Sequence, residues 1–302
     1  MNKEKSLKKS ANFDTLYNQV YSETHKELAQ SLRPTKIKLI IIAILLIIIT
    51  FIKPVLILLA LPTFIISVLL LNHTSTQKYR HLYKTKVLQR FIQLYDKNLK
   101  YNPDSGITNT IYDEAEFEKY EIYKSEDLIY GKLDNYEIEI AKLDTESISS
   151  SSNGNTKYTQ IFGGLLAIST FENNFNGTIK VRTDRGNLIN TFKKKNKIEM
   201  DSQEFEKHFD VITSNKLQAI QVLTSDVMNM LIDFKTTYDI KVELTIKKHK
   251  LFIRFHNRNF FEPPFLGIGK INYNMLLKDY NLIKFTLDLS RALVKSIAET
   301  KI

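Results

Sequence analysis

LIIIAILLIIITFIKPVLILLALPTFIISVLLL, residues 39–71, is a run of 33 positions with one charge, Lys53. A membrane-spanning helix needs about 20 apolar residues, so a single helix of this length overshoots a bilayer. Lys53-Pro54 divides the run near its middle, and proline lacks the backbone donor that a helix interior needs. The run therefore predicts a transmembrane hairpin of two helices, Ile37–Ile52 and Val55–Leu71, joined by a tight turn. Each is short for a span, and flanking residues or local bilayer thinning make up the difference. The apolar stretch is too long and starts too late for a secretory signal. A buried hairpin of a soluble protein fits poorly, because both helices are apolar all round. A re-entrant hairpin or one tilted span stays open as an alternative.

Working outward, the flanks set the orientation. Residues 1–36 hold seven Lys or Arg, and residues 72–100 hold seven against one acid. Basic flanks stay on the cytoplasmic side. The expectation is a cell-membrane protein with two spans, both termini in the cytoplasm, and the basic segments facing anionic lipid head groups. Four segments follow: an N-terminal amphipathic helix over 1–36, the transmembrane hairpin over 37–71, a juxtamembrane helix over 72–100 and a cytoplasmic domain over 101–302. Phe13, Leu16, Tyr17, Val20 and Leu28 before the hairpin recur at helical spacing, as do Tyr79, Tyr83, Val87, Phe91 and Ile92 after it. Both helices would leave the same membrane face, where they can pack as a short stalk.

The domain reads as α+β with a mainly antiparallel sheet and flanking helices. Asp127–Leu133 and Tyr136–Leu143 read as a hairpin, and Tyr136–Leu143 alternates clearly. Thr159–Thr170, Thr178–Thr183 and Phe209–Thr213 read as strands, with a bulge or close backbone approach at Gly163-Gly164. Ile240–Ile246 and Leu251–Phe255 read as a second hairpin across Lys247–Lys250. Helices are expected over Ile111–Tyr120, with Phe117 and Tyr120 inward, over Lys216–Tyr238 with a break near Thr224, and over Tyr273–Ile297. Ser149–Asn155 is a Ser-rich loop.

Five blocks in order carry a family resemblance: Tyr123–Gly131 (YKSEDLIYG), Thr159–Leu165 (TQIFGGL), Phe171–Gly177 (FENNFNG), Glu204–Phe209 (EFEKHF) and Phe260–Pro263 (FFEP). With the apolar hairpin ahead of them, they resemble a family of bacterial membrane proteins catalogued as domain of unknown function 3137. The resemblance covers roughly residues 75–297. It implies a membrane hairpin with a long cytoplasmic region and no established activity. The sequence departs from the family pattern at Thr170, where Asp is frequent, and at Gly163 and Asn173, where Lys is common.

Composition removes several classes of chemistry. The chain has no Cys, which excludes disulfides, thiolate metal sites and cysteine nucleophiles. The six His form no i, i+4 pair, and His208 and His256 are the two that folding could unite. Gly267-Ile-Gly-Lys270 lacks the length and preceding strand of a phosphate loop. Net charge is +10, but without a dense basic run interleaved with aromatics, so no nucleic-acid partner is expected. Residues 101–160 carry thirteen acids against five bases. That excess reads first as a solvated acidic face; it is also a surface that could recruit a basic, unknown protein partner, or a dispersed carboxylate site. The best candidate surface is Glu126 and Asp127 together with Phe171, Asn174, Phe175 and Gly177. No cofactor, metal or catalytic residue is expected. The resulting expectation is a membrane-anchored cytoplasmic binding or scaffold module in contact with the lipid bilayer. A membrane-tethered hydrolase or transferase, and an assembly factor for other membrane proteins, are its rivals.

Overall fold

The computed structural model of the chain describes residues 11–52, 55, 57–150, 156–183, 196–258, 260–263 and 271–300. They divide into a helical unit, Lys8–Leu94 with Phe261–Lys278, and a sheet unit, Tyr95–Phe260 with Asp279–Ile302. The expected turn at Lys53-Pro54, the loop tip 151–155 and Gly267–Lys270 lie outside the described residues.

In the helical unit, α1 (Ala11–Ile52) runs unbroken through Pro34, so the amphipathic segment and the first apolar segment are one helix. Its first half buries Phe13, Val20, Thr24, Leu28 and Leu32, one stripe at helical spacing. Opposite lie α2 (Ile57–Tyr83), one π-helical turn (Lys84–Leu88) and α3 (Gln89–Tyr95). The wider turn brings Lys84, Val87 and Leu88 all inward. Glu27 pairs with Lys86 at 2.6 Å and Glu23 with Arg90, so the two limbs run antiparallel. Tyr273, which opens α8 (Tyr273–Glu299), sets its ring edge-on against Phe13 and Tyr17 at 5.5 and 4.9 Å. Farther along α1, Ile40, Ile44, Leu45, Ile47 and Phe51 are all more than half exposed. Among the described residues α1 is the one helix long and apolar enough to cross a membrane, and Leu58–Leu69 of α2 is a shorter apolar stretch.

The sheet unit confirms α+β. Its strands are β1 (Lys100–Asn102), β2 (Ile122–Leu133), β3 (Tyr136–Ser150), β4 (Thr156–Thr183), β5 (Lys197–Ile198), β6 (Phe209–Thr213) and β7 (Val242–Phe255). All pairs are antiparallel, in the order β1-β2-β3-β4-β6-β5, with β7 against β4. The first hairpin closes as expected: Leu133 faces Tyr136 across Asp134, whose φ is +51°.

β7 is not straight. At about 3.3 Å per residue, an extended chain would hold Glu243 and Arg254 about 36 Å apart. Instead their side chains form an ion pair, and the His256 amide donates to the Lys241 carbonyl at 3.0 Å. The strand doubles back where Lys248 takes φ +55°, which is the hairpin expected across Lys247–Lys250. Residues 165–170 of β4 pair with 250–255, and residues 178–182 pair with 243–247. The two limbs of β4 therefore hold the β7 hairpin between them. Residues 171–177 carry the chain across its tip, with Phe175 opposite Lys248.

One sheet face carries Ala141, Leu143, Phe162, Leu166, Ile168 and Phe252, covered by Ile107, Tyr112 and Ala115, with Phe117, Tyr120 and Tyr123 at the margin. On the other face, Phe255 meets Phe234 of α7 (Ser225–Tyr238) and Phe285 of α8, which stack on each other at 4.2 Å. The expected break near Thr224 is a helix boundary. α6 (Lys216–Val222) ends before it, and the Thr224 hydroxyl accepts from the Val227 amide to start α7. The short α5 (Gln203–Glu206) begins in the same way at Ser202. The acidic helix expected over 111–120 is shorter: α4 spans Asn109–Glu114, and Glu116 at φ +52° turns the chain into an irregular strap.

Gly164 fixes how closely β7 approaches β4. A Cβ there would stand 1.9 Å from the Phe255 carbonyl oxygen, a backbone atom that cannot swing away. Gly164→Ala should lower stability by about 3 kcal/mol, the upper end for overpacking. The urea midpoint of the purified full-length protein reads this, and an unchanged midpoint would refute the close approach.

Candidate functional site

The sequence-derived candidates fall into two places. Asp127 is fully buried at φ +63°, in a bulge of β2 between Glu126 and Ile129. Its carboxylate accepts from the Tyr101 hydroxyl, and its amide donates to the Pro103 carbonyl at 3.2 Å. Glu126 lies on the rim of the bulge and pairs with Lys142 at 3.2 Å. Phe171 and Phe175 are buried, whereas Asn174 and Gly177 are exposed where β4 crosses the β7 tip, with Gly177 at φ +116°. The two groups do not meet. Glu126 stands opposite Lys142 and Thr170 opposite Glu137, five residues or about 17 Å along β3. Asp127 and the two Phe are packing residues, so what Glu126, Asn174 and Gly177 offer is rim and turn.

The strongest concentration of chemistry lies elsewhere, on the face that carries Phe252. Arg254 is 1% exposed and bonds Glu243, Glu118 (2.8 Å) and the Tyr112 hydroxyl (3.3 Å). Its guanidinium lies 3.7 Å from the centre of the Phe117 ring, a cation–π arrangement. Glu243 also takes Lys241 at 2.9 Å and His256 Nε2 at 3.3 Å. The hairpin in β7 explains the cluster: residues opposite each other across an antiparallel pair share a face, which brings 241 beside 256 and 243 beside 254. Reading β7 as a hairpin was enough to find these pairs, and a register count across Lys247–Lys250 would have given them. His208 does not join. It sits 3.5 Å from Glu204 of α5, while His256 belongs to Glu243.

Above this face lies the strap after α4. Glu114, Glu116 and Glu118 reach Lys250 (2.7 Å), Lys247 and Arg254 in turn. All three glutamates meet a base of the β7 hairpin: Glu114 from the end of α4, Glu116 from the left-handed turn and Glu118 just beyond it. Asp144 likewise takes Arg258 at 2.8 Å, and Asp134 takes Arg291 at 2.9 Å. Much of the acidic excess expected to meet a basic partner is engaged within the fold.

The electrostatics are those of a clamp. Burial works to raise the Glu243 carboxyl, but His256, Arg254 and Lys241 outweigh it and hold the group far below the usual carboxylate range. Burial likewise pushes up on Glu118, and Arg254 overrides it. His256 goes the other way: burial keeps the ring neutral, Lys241 and Arg254 reinforce this, and Glu243 opposes it. Glu243 and His256 could together ligate a cation, but two positive side chains already sit on that carboxylate and repel one. What the arrangement does is fix the β7 hairpin and the strap in one geometry.

The family described as "Protein of unknown function (DUF3137)" matches residues 160–295. That stretch runs from β4 through most of α8, under half of the chain, and supports the resemblance for this part without reaching the apolar segments. No curated protein matches. A solved structure described as "crystal structure of the mycobacterial trehalose monomycolate transport factor A, TtfA" aligns over 68% of this chain and 96% of that one, at 10% identity and a TM-score of 0.33. At that score the likeness decides neither fold nor function.

Arg254→Met should cost about 3 kcal/mol, because it removes the buried cation that bonds both Glu243 and Glu118 and leaves Glu243 to Lys241 and His256 alone. Arg254→Met combined with Glu243→Leu should recover much of that loss, as replacing a buried pair with apolar groups commonly does. Denaturation of the two variants tests this, and equal destabilisation of both would show that the pair is not a unit.

Stability should also fall in two stages on acidification. Below about pH 6.5 the unfolded chain takes up a proton at His256 that the folded chain refuses. Below about pH 4.5 the same holds for Glu243, whose folded value is depressed. His256→Gln should remove the first stage and leave the second. A melting-temperature profile from pH 7.5 to 4 that is superimposable on wild type would contradict the assignment to His256.

Proposed function

We propose that the chain is a membrane-anchored module whose sheet domain works in the cytoplasm as a binding or scaffold element. The exposed apolar surface of α1 carries this reading. Its most apolar 18-residue window has a mean hydropathy of 2.6 and is 6% buried. Ile40, Ile41, Ile44, Leu45, Ile47, Ile48 and Phe51 all stand about half exposed or more. Leaving side chains of this size in water costs about 1.5–3 kcal/mol each, which summed over seven is on the scale of a whole domain's stability. A bilayer removes that cost. In this reading the second apolar stretch, around Leu58–Leu69, returns the chain across the bilayer, and the basic residues on both flanks support cytoplasmic termini.

The binding reading is supported by how the domain uses its charge. Its principal buried cluster consists of side chains that neutralise one another, which favours a rigid platform over a centre poised to react. Lys78, just beyond the second apolar stretch, is suited to anionic lipid head groups, whereas Lys86 and Arg90 are taken up by Glu27 and Glu23.

The native chain has no Cys, so topology can be read with single cysteines. Leu217→Cys, on exposed α6 of the sheet unit, should resist a membrane-impermeant maleimide in intact cells and react once the cells are opened. Lys53→Cys, between the spans, should react in intact cells. Labelling of Leu217→Cys from outside would overturn the cytoplasmic placement, and protection of both sites in intact cells would favour a re-entrant hairpin.

A further inference from the structure

We infer that the paired strand ends Ser147–Ser150 of β3 and Thr156–Thr159 of β4 are a second membrane contact, an arm that lays the side chains of Ile148 and Tyr158 on the lipid head-group layer. The inference rests on the membrane-anchored reading above and adds a lipid-binding role for the sheet domain.

The arm stands clear of the rest of the sheet. β2 begins at Ile122, opposite Glu146, and does not extend along β3 beyond that point. β7 reaches back along β4 to Leu165. Between these limits Ser147, Ile148, Ser149 and Ser150 pair with Thr159, Tyr158, Lys157 and Thr156. Glu121 accepts from the Ile148 amide at 2.9 Å, which occupies the open edge on the β3 side.

Two features of this arm point to lipid. Outside residues 37–69, the large hydrophobic side chains exposed among the described residues are Tyr130, Ile148, Tyr158 and Leu217. Two of these four face each other in register, 41% and 60% exposed, so they form a continuous apolar spot, unlike single scattered residues. A Tyr beside an aliphatic residue suits the bilayer interface, where the ring is buried and the hydroxyl stays wet.

The second feature is charge. All thirteen acids of residues 101–160 lie at or before Glu146, and the next acid is Glu172. From Ser147 to Phe171 the one charge is Lys157. An anionic leaflet repels carboxylates, and the arm's own residues carry none, although it is joined to the most acidic segment of the chain; the one carboxylate beside it, Glu121, accepts from the Ile148 amide. Lys157 projects from the opposite face of the hairpin, and its long stem lets the ammonium reach phosphate. Such a contact is weak alone. A domain tethered by α1 meets the bilayer at an effective concentration on the order of mM, which makes a weak contact count.

The test uses the full-length chain reconstituted in vesicles of phosphatidylcholine and phosphatidylglycerol. An environment-sensitive fluorophore is attached at Thr156→Cys, on the same face as Ile148 and Tyr158, and in a separate protein at Leu45→Cys in α1. Brominated lipids serve as the quencher. The expected result is quenching at both sites, with quenching at Thr156→Cys lost when Ile148→Ser and Tyr158→Ser are added. Both of those side chains are exposed, so the fold should survive. Quenching at Leu45→Cys with none at Thr156→Cys overturns the arm and leaves the anchor intact. Absence of quenching at Leu45→Cys overturns the anchor itself. A blue shift at Thr156→Cys without lipid quenching means that protein covers the arm, a second copy included, and also overturns the proposal.

Discussion

The β7 hairpin lies between the two limbs of β4, and most of the sheet unit follows from that insertion. β4 cannot pair with itself, because the hairpin separates its halves. β3 then takes one outer limb and β6 the other. The close approach at Gly164 and the turn over the hairpin tip through Phe175 belong to the same arrangement. Hairpins are held by cross-strand pairs, and here the decisive pair is ionic: Arg254 against Glu243, with Lys241 and His256 one step along. Burying Arg254 and Glu243 costs heavily in desolvation unless each charge is met. The dense mutual pairing is therefore a condition for the hairpin to sit in the interior of the sheet.

The strap after α4 depends on that cluster in turn. Left without bases to meet, Glu114, Glu116 and Glu118 would repel one another across this short stretch. Lys250, Lys247 and Arg254 sit on the hairpin that the strap covers, so the strap is bound where the hairpin is formed. Phe117 closes over Arg254 and shields the pair from water, which strengthens it. An acidic stretch that looks in sequence like a docking surface is in this way largely consumed by the fold.

Local pattern read well wherever one element's own chemistry decides. The turn at Asp134, the boundary at Thr224 and the reversal at Lys248 each carry their cause within a few residues. It read poorly where a partner decides. Asp127 lies in an acidic, exposed-looking segment, yet the bulge turns its carboxylate inward onto the Tyr101 hydroxyl. The helix expected over 111–120 stops at Glu114, because bonds from the following glutamates to β7 outweigh a weak helical preference.

The sequence by itself determined the apolar run at 39–71, the α+β character of the rest, the absence of thiol chemistry and the acid-free stretch from Ser147 to Phe171. These follow from composition and periodicity, which act locally. Tertiary structure alone decided that β4 is split around β7 and that Arg254 finds Glu118, 136 residues away. It also decided that Ile148 and Tyr158 face each other on an uncovered arm. Each of these depends on register between strands distant in the chain, and register is set by which faces the finished sheet can bury.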